Sequence, residues 1–139
     1  GSDKTPSLAT FQSEYQTKYG TLPTQAYITN AYDATVLIGL AMQQSKSNKA
    51  PAIRDAIRKV TDPKGEKIYA GAAELKKAAK LLAEGKAIQY IGATGPLQFD
   101  KNGDIASPMQ VWSVTAQGKV EPTGMVTVAQ IDALRGASK

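Results

Sequence analysis

Residues 90–104, Tyr-Ile-Gly-Ala-Thr-Gly-Pro-Leu-Gln-Phe-Asp-Lys-Asn-Gly-Asp, constrain the fold more than any other stretch of the chain. An aliphatic strand runs into a Gly-x-x-Gly-Pro corner, and Asn102-Gly103 then offers a tight hairpin turn between Phe99 and Ile105. Two chemical readings of this stretch fail on residue type. A calcium loop counted from Asp100 would need a bidentate Glu at its twelfth position, where Val111 stands. A phosphate cradle at Gly92-Ala93-Thr94-Gly95 lacks both the Lys-Ser/Thr end of a P-loop and the third glycine of a dinucleotide fingerprint, and Pro96 removes an amide donor.

Upstream, the spacing of apolar positions predicts helices. Leu8, Phe11, Tyr15 and Tyr19 recur three and four apart, which puts them on one helical face, with Pro6 at the start and Gly20 at the end. Residues 26–44 are polar at first and almost wholly apolar from 34 to 42, the pattern of a buried helix. Small polar residues at 45–49 separate it from a third helix carrying Ile53, Ala56, Ile57 and Val60. Asp62-Pro63-Lys64-Gly65 is a turn in which Pro fixes φ and Gly supplies conformational freedom. Residues 72–84 are strong helix formers with an apolar stripe of Leu75, Ala78, Ala79 and Leu82, a lysine-rich solvated side and Gly85 at the end.

Strands are expected at 87–91, 97–99 and 108–115, with Gln117-Gly118 turning into Lys119-Val120. A last helix over 126–134 would start at Thr127 and stop at Gly136. Four helices and then a few short strands form an α/β pattern with too little parallel sheet to cover, so a missing N-terminal partner is expected to complete the fold, supplied either by the rest of a parent chain or by an intermolecular contact.

Composition narrows the chemistry. The chain of 139 residues has neither Cys nor His, which removes thiol nucleophiles, Ser-His triads and ordinary zinc sites; the glutamates show no paired arrangement, so an enzyme is not expected. The +5 charge is scattered, with Lys76, Lys77 and Lys80 on one helix face, and reads as solubility rather than a nucleic-acid interface. No apolar run approaches the roughly 20 residues of a bilayer-spanning helix. No secretory leader is evident, and Gly1-Ser2 reads as an expression-tag remnant.

The corner and turn at 90–104 resemble a signature of type I periplasmic solute-binding proteins of ABC importers, the branched-chain amino-acid-binding group. Phe11, Tyr15, Tyr19-Gly20 and Pro23 are similar to a pattern of that family, as are Tyr32-Asp33-Ala34 opening the long helix and Ala52-Ile53-Arg54 in the next. The likeness spans about residues 11–120 in the right order.

This resemblance implies a partial type I periplasmic-binding-protein α/β fold. By the same likeness, the chain would be the C-terminal segment of a two-lobed extracytoplasmic protein well over twice as long, which closes on an amino acid or related carboxylate and delivers it to ABC permease subunits. A ligand-sensing receptor or regulator domain of the same fold is the alternative. Residues 1–25 would hold the tag remnant and a helix near the interlobe crossing, 26–108 part of the N-terminal lobe, and 109–139 hinge-crossing strands and the terminal helix. The protein would work in the periplasm, or lipid-anchored outside a Gram-positive cell, without cofactor or metal. Tyr27 matches a position where such proteins carry an aromatic on the ligand wall, although packing between helices would also explain it; Asn30 shares its neighbourhood. Asp33 is accounted for as a helix-dipole carboxylate in the first turn.

Overall fold

A computed structural model describes residues 5–24 and 27–137, with side chains to 134. The expected tag remnant at Gly1-Ser2 and the expected helix start at Ala26 lie outside the described residues. The order is α1 (Pro6–Tyr19), α2 (Ile28–Ser45), α3 (Ala50–Ile57), β1 (Glu66–Ile68), α4 (Ala72–Ala83), β2 (Ile88–Gly92), β3 (Gly95–Pro96), β4 (Met109–Val114), β5 (Val120–Val126) and α5 (Val128–Ala137). This is a mixed α/β fold and a partial type I periplasmic-binding-protein architecture.

Helix α1 forms where the spacing predicts. The Thr5 side chain caps it by accepting the Leu8 N–H, Pro6 opens it without losing a needed donor, and Gly20 ends it at φ 76°. The central sheet has the order β1-β2-β3. Parallel β1 and β2 pair Glu66 with Ile88 and Ile68 with Tyr90, and antiparallel β3 pairs Pro96 with Ile91. Against it lies a core of Leu37 and Leu40 from α2, Leu81 and Leu82 from α4, and Ile68, Ile88 and Tyr90 from the strands. The latter three are fully buried, each worth about 1.5–3 kcal/mol against exposure.

Several expectations are corrected. The strand at 97–99 is instead the two-residue β3, because Pro96 cannot extend a ladder; Leu97 packs into the core, and Phe99 makes only an isolated bridge to Ile105. The strand at 66–68 has no forerunner in the sequence pattern, since three residues, two of them charged, carry no period. Val60 falls beyond α3, in a turn whose carbonyl accepts the Tyr90 N–H at 2.9 Å. Helix α5 continues through Gly136, and β5 extends well past Val120.

Helix α2 is not buried all round. One face enters the core through Leu37, Leu40 and Ala41, while Ile38 and Met42 remain exposed, because the small sheet covers only one side. The ribbon of β4 and β5 is similarly open. Its two strands pair chiefly with each other, and Met109, Trp112 and Val114 are exposed.

The turn at 62–65 forms as expected, Gly65 N–H donating to the Asp62 carbonyl at 2.9 Å and Lys64 N–H to the Asp62 carboxylate. Its glycine is needed for another reason: a Cβ there would lie 2.6 Å from Ile88 Cα. The turn at 100–104 is closed by Asp100, whose Oδ1 accepts the N–H groups of Asn102 and Asp104 at 2.8 and 2.9 Å. Two backbone donors on the carboxylate make this a side-chain-stabilised hairpin turn. Arg58 secures it from the end of α3 by donating to the Asp100 carbonyl.

Candidate functional site

The corner after β2 is built around one carboxylate. Asp33, on the second turn of α2 and 2% exposed, accepts four hydrogen bonds: from Tyr90 OH at 2.9 Å, Ala93 N–H at 2.9 Å, Thr94 N–H at 2.8 Å and Thr94 Oγ1 at 2.6 Å. The Gly-Ala-Thr-Gly corner therefore does cradle an anion, and the anion is internal. Gly92 is required by that approach, since a Cβ there would stand 2.7 Å from Asp33 Oδ1. Asp33 is thus not the first-turn dipole carboxylate expected from sequence: α2 has no acidic residue in its first turn. The signal that could have identified it is that an otherwise uncharged helix carries this single acid in the same chain as a glycine-rich corner.

Tyr90 donates into this cluster from a fully buried position, and burial first, then the Asp33 charge and hydrogen bond, push its hydroxyl well above the ordinary tyrosine value of 10.0. Below pH 10 both folded and unfolded states keep the proton; above it the unfolded state loses the proton while the folded state retains it. Stability is therefore expected to fall above pH 10, by up to about 1.4 kcal/mol per pH unit for this group. Tyr90→Phe is expected to flatten that slope and to cost about 1–2 kcal/mol at neutral pH by removing one donor to Asp33. Urea midpoints from pH 8 to 11 check both, and equal slopes for the two proteins would contradict the assignment.

The cluster also orients α2. Asp33 is fixed at the carboxyl end of β2, and Leu37 and Leu40 lead from it into the core around Ile88, so α2 runs antiparallel to β2. Six residues at 1.5 Å each place Tyr27 about 9 Å before Asp33 along the helix, beyond the carboxyl ends of the parallel strands. Open α/β sheets bind ligands on that side. Tyr27 is 80% exposed, so it does not pack between helices, and it caps α2 in the left-handed region at φ 64°, with no side-chain cap. A left-handed backbone costs a non-glycine residue about 1–2 kcal/mol, and such strain gathers at functional positions. Asn30 is exposed one turn on.

On the same side, α1 is tied to β2 and to the segment that follows β1. Ser7, fully buried, accepts the Ala70 N–H at 2.9 Å and donates to the Ile91 carbonyl. Between α1 and α2 opens a groove of about 720 Å³. An aromatic ladder lines it: Phe11 stands 5.8 Å from Tyr15 and 4.9 Å from Tyr32, and Tyr15 stands 4.5 Å from Tyr19. The Tyr32 hydroxyl accepts the Gly71 N–H at 3.3 Å and is pushed up mainly by burial. Tyr27 and Asn30 lie outside this lining; the Ile28 and Ala31 positions face it instead. Sequence periodicity found the α1 half of the groove, and nothing in the spacing paired it with Tyr32.

Among the described residues no three carboxylates gather to hold a metal ion, and no helix is long and apolar enough to cross a membrane. No curated protein and no solved structure matches the chain. The family described as the receptor family ligand binding region matches residues 3–117. That span holds α1, the Asp33 corner and the open end of the sheet with its groove, and the chain belongs to this family of ligand-binding regions.

Proposed function

We propose that this chain is part of an extracytoplasmic solute-binding protein, which holds an amino acid or related small carboxylate between two lobes and hands it to the permease subunits of an ABC transporter. The observation that carries the reading is the exposed, strained Tyr27 ahead of α2, beyond the carboxyl ends of β1 and β2. An aromatic there covers apolar ligand surface while its hydroxyl meets a polar end, and Asn30 adds an amide one turn away. In this reading residues 26–108 belong to one lobe and 109–139 cross the hinge; the site of action is the periplasm or the outer cell surface. The work done is differential affinity for open and closed lobes, with no covalent step.

Tyr27→Gly provides the test, because glycine removes the ring and also relieves the left-handed backbone. Thermal melts of the protein encoded by the complete gene, with a panel of amino acids and small carboxylates, are expected to show a ligand-dependent rise that this variant loses while its unliganded melting temperature is unchanged or higher. A rise that the variant retains in full would remove Tyr27 from the ligand wall.

The family's receptor description supports a second reading, a ligand-sensing domain. Uptake of labelled ligand by cells with and without the gene separates the two: lost uptake favours transport, and intact uptake with a lost response favours sensing.

A further inference from the structure

We infer that the groove between α1 and α2 is a binding site for an aromatic monocarboxylate, separate from Tyr27 and Asn30. Its volume of about 720 Å³ falls in the range of small-molecule sites, roughly 300–1,000 Å³. The walls offer aromatic surface to a ring: Phe11, Tyr15 and Tyr19 follow one another along α1, each pair tilted by 48°, and Ile28 and Ala31 face them from α2.

The rim decides the charge of the occupant. Glu14 and Lys18, four residues apart on one helix and of opposite sign, would ordinarily pair. Here they do not. Glu14 Oε1 turns to accept the Ala72 N–H at 3.2 Å, while the Lys18 ammonium lies 5.3 Å over the Tyr19 ring. The groove therefore presents an ammonium whose hydrogen-bond donors are not directed to Glu14, beside an acid already engaged by a backbone amide. A carboxylate with an aromatic body complements both features: its anion reaches Lys18 while its ring enters the ladder. A cationic or neutral ring would leave the ammonium without its counter-charge.

Titration of the isotopically labelled chain with indole-3-acetate, indole-3-acetamide and tryptamine, monitored by two-dimensional amide NMR, reads affinity and location together. The acid is expected to bind saturably and to shift the amides of Tyr15, Lys18 and Ala31, with the amide about threefold to fivefold weaker, as an exposed ion pair dictates, and the amine weaker again. Lys18→Gln, at an exposed position, is expected to reduce affinity for the acid by the same factor and leave that for the amide unchanged. Absence of saturable binding, equal affinity for acid and amide, or an unaltered affinity in Lys18→Gln would each overturn the proposal. Shifts centred on Tyr27 and Asn30 would also overturn it, while leaving the solute-binding reading in place.

Discussion

Asp33→Ala is expected to destabilise the chain by about 3–5 kcal/mol, against a total of about 5–15 kcal/mol for a domain of ordinary stability. The substitution removes the acceptor of four hydrogen bonds at once, and two of the donors, the Ala93 amide and the Tyr90 hydroxyl, are buried where water cannot replace it. Each buried donor left alone costs about 1–3 kcal/mol. Asp33→Asn is expected to fall between, since its oxygen still accepts while its amino group turns donors toward donors. Urea denaturation monitored by circular dichroism measures all three proteins. A loss below about 1 kcal/mol for the alanine variant would show that the corner keeps its shape without the carboxylate.

Gly65→Ala is expected to be comparably damaging, by about 3 kcal/mol or more. A Cβ at this position meets the backbone of one residue of β2, Ile88 N and Cα both at 2.6 Å, and backbone cannot rotate out of the way as a side chain can. Relief requires the turn at 62–65 to move off β2, which also strains the Glu66 N–H bond to the Ala87 carbonyl that starts the β1–β2 pairing. Gly39 provides the control: it lies within α2 with nothing within 4 Å of an added Cβ, so Gly39→Ala is expected to be neutral or stabilising by up to about 1 kcal/mol. Equal effects at the two positions would mean that the contact with Ile88 is not what glycine preserves.

How much of this is legible in the sequence differs from one element to the next. Helix α1 is readable because its aromatic residues are spaced by the helix period and its caps are chemically specific. The strand Ile88–Gly92 and the turn at Asn102-Gly103 are readable for similar local reasons. Strand β1 is not, because three residues cannot display a period and its existence depends on β2 twenty residues later. The length of α2 is legible and its burial is not: apolarity records what a helix face can tolerate, and whether Ile38 is covered depends on how wide the sheet beneath it becomes. Asp33 stands out in the sequence, but its role does not. That role rests on contacts across 57 to 61 residues of chain, a separation at which neither periodicity nor the helix dipole carries information. Tyr27 is singled out by resemblance, while its left-handed backbone has no local sequence cue such as glycine or asparagine.

The hydroxyl of Ser7 carries a consequence for how the chain reaches this arrangement. Its two partners, Ala70 and Ile91, lie 63 and 84 residues further along the chain, beside β1 and within β2. Helix α1 is synthesised before either strand, yet the surface it docks on does not exist until β1 and β2 have paired. Closing such long loops carries an entropic cost that only the finished sheet offsets. An early helix thus waits on strands made much later, and a single buried hydroxyl marks the moment when both strand ends are in register.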